Sequence, residues 1–365
     1  MFDPAQLESS DYQEHFNLFR ERMQEVERSI VAGYGLPVGV DKIHSYIASD
    51  FEFNAQAGQV DSTLMVSVNA PVLISLRVLF DLLLEKDHVL PALLQPSESK
   101  ITYRTQTFLK AYNPGELSLH EISISKERYK ASSTLSDLCS TFMMLHEFGH
   151  VICGHPGALA TKFSEASLVE FNSFAEGPKA NSELRRYWEF QADNIAATLL
   201  AQYVDDAVSR AEQFNPWLRT CLDQEVVTFE QQATHFSAMV IASLHVLFLY
   251  SDSCQFEVPK FSYHPPAQTR LMYVKDVFAG AIASRLRLDA DEIVDVYFST
   301  YLSQFLSGLE ELGLEAHKGF DDTHLDDVER LRDELVFASN KYRSVCEKWS
   351  LVPTNQWANP RYKTH

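Results

Sequence analysis

Apolar residues recur at helical spacing in several stretches of the chain, and this periodicity predicts a mainly helical protein. Residues 9–32 place apolar side chains three or four apart with charges opposite them, which is typical of an amphipathic helix packed on a larger body. Residues 72–84 are strongly apolar and follow Pro71, a residue favoured in the first turn of a helix. The segments 289–309 and 323–349 predict two further helices.

Strand patterns are fewer and lie in the first third of the chain. Residues 101–109 and 116–125, joined through an Asn-Pro-Gly sequence, predict a β-hairpin, and residues 64–68 predict another strand. The apolar residues of the second hairpin strand change parity near His120-Glu121, so a bulge or turn is expected there. The pattern as a whole predicts a mainly α fold of the α+β class.

One helix contains the sequence HEFGH and is apolar on nearly every side, which predicts a buried helix. Thr134 and Asp137 have the spacing of a capping box and predict its first turn. Gly149 inside it costs about 1 kcal/mol relative to alanine, so we expect another element to approach closely at that point. Gly154, with a proline two residues on, predicts its end.

The HEFGH sequence places two imidazoles and a carboxylate on one helix. His146 and His150 lie one turn apart, about 6 Å between Cβ atoms, which suits two nitrogens at about 2.0 Å from one zinc ion. Glu147 points about 100° away and is better placed to hold a water than to bind the metal. The alternative is two ordinary buried histidines.

A third ligand is predicted on a second helix, residues 181–203, where Glu189 and Asp193 lie four residues apart. Two acids at this spacing repel each other on an isolated helix, so their pairing requires a cationic partner or different roles. Glu189 as a zinc ligand and Asp193 as the acceptor for the free N–H of a liganding histidine would give each its own partner. The alternative is a solvated acidic edge.

HEFGH followed by EFQAD resembles the gluzincin zinc metallopeptidases, whose pattern is HExxH and then ExxxD. Further on, YHPPAQTRL resembles the His-Pro and Arg motif of the CAAX-prenyl endopeptidase and HtpX branch. The resemblance implies a zincin-like helical core, a small β-sheet before the zinc-binding helix, and an edge strand, which we assign to the hairpin, for an extended peptide. It also implies metal ligands at His146, His150 and Glu189, the general base at Glu147, an outer partner at Asp193, and helpers on the substrate side at His264 and Arg270.

The resemblance leaves the subfamily open. EFQADNIAATLL also resembles a segment of the soluble ImmA/IrrE proteases, and a distant relation to the Lit-type phage-exclusion peptidases is a further alternative. A metzincin is disfavoured, because Cys153 stands where that motif needs glycine and Pro156 where it needs a third histidine. His155 is then expected at the surface or behind a ligand. The alternative for HPPAQTR is a helix started by proline, with a surface arginine.

Composition bounds the fold and its partners. With 365 residues, 45% of them hydrophobic, the chain can bury a substantial core. We predict one metallopeptidase-like domain over 1–365, with N-terminal helices and a small sheet in 1–130, a zinc-binding core in 131–275 and a helical part in 276–365. A net charge of −19 repels nucleic acid phosphate, so nucleic acid is not expected as a partner.

The chain carries no predicted leader or membrane span. Its opening residues lack a basic and apolar signal pattern. The longest apolar run, 236–250, falls short of the roughly 20 residues that cross a bilayer and predicts a buried helix instead. Five scattered cysteines are typical of reduced thiols. We therefore expect a cytoplasmic protein without membrane insertion; its oligomeric state is not predicted.

These observations predict a zinc-dependent endopeptidase acting on a protein or peptide substrate. A zinc-bound water with pKa near ~7 would give its proton to Glu147 as it attacks the peptide carbonyl. Tyr263, His264 or Arg270 would supply a second donor to the oxyanion. One alternative is a non-catalytic, zinc-stabilised regulatory or interaction protein with a zincin-like fold, which a fourth protein ligand such as His155 or Cys153 would favour. Another is a helical protein without metal.

Overall fold

The computed structural model describes residues 10–50, 52–91, 100–107, 118–163, 167–169, 179–209, 228–253, 265, 267–314, 333–335, 337–338 and 341–352. Its strands are β1 (Lys42–Ala48), β2 (Ala55–Val60), β3 (Thr63–Asn69), β4 (Lys100–Thr107), β5 (Ser118–Ser125) and β6 (Ser167–Val169). Its α-helices are α1 (Ser10–Tyr34), α2 (Ala70–Glu85), α3 (Lys126–Cys153), α4 (His155–Phe163), α5 (Lys179–Ser209), α6 (Phe229–Ser253), α7 (Ala267–Leu286) and α8 (Ser299–Glu311). A π-helical segment, Glu292–Phe298, precedes α8. The prediction of a mainly helical α+β fold with small sheets before the zinc-motif helix is confirmed.

The predicted hairpin is present, but without the predicted bulge. Strands β4 and β5 pair antiparallel in an uninterrupted register that includes Arg104 opposite Glu121 and Thr105 opposite His120. Ile122 and Ile124 are both buried on the inward face of β5, and the strand pairing continues through the point where the sequence suggested a break.

The hairpin directly precedes α3 and contacts its first turns. Tyr103 on β4 donates its hydroxyl to Asp81 of α2, and its ring packs edge-on against Tyr129 in the first turns of α3. His146 and His150 are near the other end of that helix. These contacts of the hairpin therefore lie beside the start of α3, and its role as an edge strand for a peptide stays a prediction.

A four-stranded sheet, in the order β1-β3-β2-β6, packs against α3 and α4. Strands β1 and β3 are parallel, whereas β2 is antiparallel to both β3 and β6. Of these strands the sequence predicted β3 alone. β2 has the sequence AQAGQV, which is too poor in large apolar residues to give a strand pattern, although its alanines are buried.

Helix α3 begins earlier than the capping-box pattern predicted. Ser125 is the N-cap, and its side chain accepts a hydrogen bond from the backbone N–H of Arg128 at 3.2 Å. Thr134 lies inside the helix and donates its hydroxyl to the carbonyl of Lys130, an alternative bond that interior threonines commonly form. The predicted end is confirmed, because Gly154 has φ 77° and closes the helix in the left-handed conformation.

The expected close approach at Gly149 is also confirmed. A Cβ atom built on Gly149 would lie 2.9 Å from the carbonyl oxygen of Ala192 and 3.0 Å from its Cα. The backbone of α5 therefore crosses α3 between the two histidines of the motif. This crossing brings Glu189 and Asp193, which flank Ala192 on α5, to the histidine side of α3.

Helix α6 lies in the core. By length and composition alone it could span a bilayer, and it is the one helix of this kind within the described ranges. In the structure 89% of that apolar window is buried, and His245 within it is fully buried. The burial agrees with the predicted buried core helix.

A C-terminal segment, 346–351, covers the corner between α3 and α4. The backbone N–H of Leu351 donates to the carbonyl of Ile152 at 2.9 Å. A Cβ atom on Gly154 would overlap the backbone of Trp349, and one on Gly157 would lie 2.5 Å from its ring. The segment runs through turns, so the helix predicted for 323–349 does not continue to its last residue, and 315–332 lie outside the described residues.

We predict that Gly149→Ala weakens the fold, because the added methyl meets backbone atoms of Ala192 that cannot rotate away. Overpacking of this kind typically costs about 1–3 kcal/mol, which urea unfolding would measure. Gly33→Ala is the matched control, since a Cβ there meets nothing within 4 Å. It should leave the free energy of unfolding unchanged or raise it by up to about 1 kcal/mol. Equal stability of Gly149→Ala and wild type would contradict the close crossing.

Candidate metal centre

The two histidines of the HEFGH motif converge on one point inside the protein. His146 and His150 are 0% and 2% exposed, and their Nε2 atoms lie 3.0 Å apart. Their rings meet edge to face, with centroids 4.7 Å apart. The one-turn spacing on α3 therefore puts two nitrogen donors side by side.

Glu189 of α5 completes this group. Its Oε2 lies 3.1 Å from Nε2 of His146 and 3.5 Å from Nε2 of His150. For tetrahedral zinc with bonds of 2.0–2.1 Å, two ligand atoms are about 3.3 Å apart. The three separations fit that geometry, and the buried set of two imidazoles and a carboxylate is one that zinc prefers.

Asp193 holds His146 from behind, as predicted for the carboxylate four residues after Glu189. Nδ1 of His146 lies 2.8 Å from Oδ1 of Asp193, so the ring donates there and leaves its Nε2 lone pair facing the donor group. Arg270 donates to both carboxylate oxygens, at 2.9 Å and 2.7 Å, and the Tyr273 hydroxyl donates to Oδ2 at 2.6 Å. Burial alone would raise the pKa of Asp193, but Arg270 and His146 outweigh it and lower that pKa well below its usual range.

Arg270 therefore does not lie where the sequence predicted. It was expected on the substrate side, but its side chain is buried, with the guanidinium paired to Asp193 and stacked 4.6 Å from the ring centre of Phe248. His264, the other predicted helper, lies outside the described residues, as does Tyr263. The sequence analysis missed Tyr273. Its spacing of three from Arg270 on one helical face was the available signal.

Glu147 is 1% exposed and follows His146 on the same helix. The structure thus places the predicted base inside the protein, next to the donor group. The catalytic role of Glu147 stays a prediction.

His155 lies behind the second histidine. Its Nδ1 is 2.7 Å from Nδ1 of His150, and its Nε2 is 3.1 Å from Oε1 of Gln191. Its ring stacks on Trp188 with centroids 5.0 Å apart and planes 15° apart. His155 is fully buried, so of the two predicted positions the one behind a ligand is correct. Among the described residues the cluster able to hold a metal consists of His146, His150 and Glu189, without His155 or Cys153.

We predict that breaking the buried pair of Asp193 and Arg270 lowers stability far more than breaking an exposed pair does. Arg270→Met should lower the free energy of unfolding of the metal-free protein by about 3–5 kcal/mol, because it leaves a buried carboxylate without its cation. Adding Asp193→Asn should bring less further loss than it does alone, which a double-mutant cycle in urea would show. Arg285→Met on the same helix is the control. Its ion pair with Asp205 has an arginine side chain 41% exposed and should cost less than about 1 kcal/mol.

Additive losses in that cycle would contradict the coupling between Asp193 and Arg270. So would an Arg270→Met variant no less stable than Arg285→Met.

Comparison with known proteins gives the family. A family model described as Peptidase U49 matches residues 91–286, just over half of the chain. No curated protein and no solved structure matches it. The matched range includes His146, His150, Glu189 and the groups that hold them. The chain therefore belongs to the Peptidase U49 family and is a peptidase with a buried site suited to a metal ion.

Proposed function

We propose that the chain is a zinc-dependent endopeptidase of the gluzincin type, acting on a protein substrate. The observation that carries the proposal is the triangle of His146 Nε2, His150 Nε2 and Glu189 Oε2, with sides of 3.0, 3.1 and 3.5 Å. Membership of a peptidase family supports hydrolysis of a peptide bond as the reaction.

The three donors are the side chains that would hold zinc. When bound, the ion would polarise the peptide carbonyl and make a water molecule acidic enough to attack near neutral pH. Two histidines and one carboxylate form one of the ligand sets of catalytic zinc sites, in which a fourth position stays open to water or substrate. Three donors among the described residues support that reading over a closed structural site.

Glu147 is the proposed general base. Because it follows His146 directly, its carboxylate leaves the helix about 100° away from the ligand and faces a different direction. It would accept a proton from the attacking water and pass that proton to the leaving amine. Burial at 1% exposure keeps bulk water from competing for this carboxylate.

Arg270 and Tyr273 act through Asp193. They hold a carboxylate that accepts the Nδ1 proton of His146, and so keep this ring in the tautomer with a free Nε2. Because Arg270 is paired with Asp193, another side chain is needed as the donor to the oxyanion. Tyr263 and His264 stay our candidates for this role.

We further propose that the enzyme works in a reducing compartment such as the cytoplasm. Cys139 and Cys153 are buried free thiols, which supports that location. The acidic surface favours a substrate with basic segments.

We predict that Glu147→Gln abolishes most activity without removing the metal. The amide cannot take a proton, so hydrolysis of a verified protein substrate should fall by about 10²–10⁴-fold at unchanged zinc content. Glu127→Gln, in the first turn of the same helix, is the control and should keep full activity. Undiminished turnover by Glu147→Gln would reject the base assignment.

We also predict that Glu189→Ala lowers the zinc content of the purified protein, as metal analysis by mass spectrometry would show. Loss of one of three donors leaves two imidazoles, too few for a stable site. Glu183→Ala is the control on the same helix, because that carboxylate pairs with Lys341 near the surface. Full occupancy in Glu189→Ala would mean that the ion has another ligand.

A further inference from the structure

Helix α5 reaches both liganding histidines of α3 from behind, by two different routes. It contacts His146 directly through Asp193 and reaches His150 through His155, which bridges His150 and Gln191. The α5 residue of the first route, Asp193, is a carboxylate, and that of the second route, Gln191, is an amide.

The proton positions along the second route follow from hydrogen-bonding capacity. The amide oxygen of Gln191 only accepts, so Nε2 of His155 carries a proton. With Nδ1 atoms 2.7 Å apart, His150 and His155 share one proton between them. If His150 uses Nε2 as a ligand, that proton belongs to its own Nδ1, and His155 is the acceptor. Tautomers assigned in this way come from the network of partners.

The surroundings fix the position of the His155 ring. It is fully buried and stacked on Trp188, itself 0% exposed, which lies one turn before Gln191 on α5. His155 also begins α4 at the corner that the backbone of Trp349 covers. Two elements thus hold the ring before any metal binds.

A neutral partner suits this position. The three negative charges of Glu147, Glu189 and Asp193 would be balanced by the charges of one divalent ion and Arg270. A fourth buried carboxylate behind His150 would be uncompensated, and burying such a charge is unfavourable. An imidazole accepts the same hydrogen bond without adding charge.

We propose that His155 is a positioning residue, which orients His150 and fixes its tautomer for zinc binding; this rests on the proposed function. Groups that accept a hydrogen bond from a liganding histidine typically contribute 10–100-fold to metal affinity. Stacking on Trp188 alone would give His155 a purely structural role, and the two roles can be separated.

The test compares two variants in the full chain. His155→Phe keeps an aromatic ring for Trp188 but has no acceptor, whereas His155→Asn places an amide oxygen near the Nδ1 position but loses the stacking ring. Zinc affinity would be measured by competition with a chromogenic chelator, and stability by urea unfolding of the metal-free protein. We expect His155→Phe to bind zinc about 10–100-fold more weakly, and His155→Asn to stay within about threefold of wild type even if it is less stable.

A further variant, Gln191→Leu, keeps His155 and its stacking on Trp188 but removes the acceptor that fixes its tautomer. We expect its zinc affinity to fall by about three- to tenfold. His88→Phe, a histidine with a side chain 42% exposed, is the control and should bind zinc like wild type.

Wild-type zinc affinity in His155→Phe, or equally weak binding in the Phe and Asn variants, would overturn the positioning role. Unchanged affinity in Gln191→Leu would contradict the assigned proton positions. A wild-type protein that binds no zinc at all would instead overturn the proposed function.

Discussion

The crossing of α3 and α5 at Gly149 and Ala192 is the contact on which the metal centre depends. The two backbones approach so closely that a single methyl on Gly149 would overlap Ala192. Ala192 lies between two pairs of side chains on α5, with Glu189 and Asp193 on one side and Trp188 and Gln191 on the other. One close crossing thus places the third donor and supports both histidines.

The metal centre contains several buried charged side chains, which stable proteins otherwise avoid. Asp193 and Glu189 are buried carboxylates that contact the two different ring nitrogens of His146, and Arg270 compensates the first of them. Buried ion pairs rarely add much to stability, because desolvation offsets their attraction. Their retention here fits a site in which the orientation of His146 matters more than the free energy of unfolding.

The sequence predicted the parts of the site that depend on helical period. His146 and His150, and separately Glu189 and Asp193, lie four residues apart within single helices, and the structure brings these two pairs together. Tyr273 and Gln191 were not predicted, because their roles arise only when α7 or α4 packs against α5. Arg270 was assigned to the wrong side for the same reason: a local motif does not show which way its helix faces.

The prediction of the fold succeeded and failed for similar reasons. Strongly periodic segments such as α2 and α6 could be predicted, and so could the position of β3. The strand β2 could not, because its alanine, glycine and glutamine residues gain their burial from the neighbouring strand and from α3. The start of α3 at Ser125 was not predicted, because the capping-box pattern at Thr134 is the stronger local signal. In the structure the helix begins directly after β5 of the hairpin.

The cover that Trp349 forms over Gly154 and Gly157 has a consequence for the order in which the molecule matures during synthesis. Helices α3 and α5 leave the ribosome well before residue 349 is made. The corner at His155 therefore lacks this cover until residues 346–351 have been made. A nascent chain would carry the donor side chains first and could close the corner behind His150 only after this later segment has emerged.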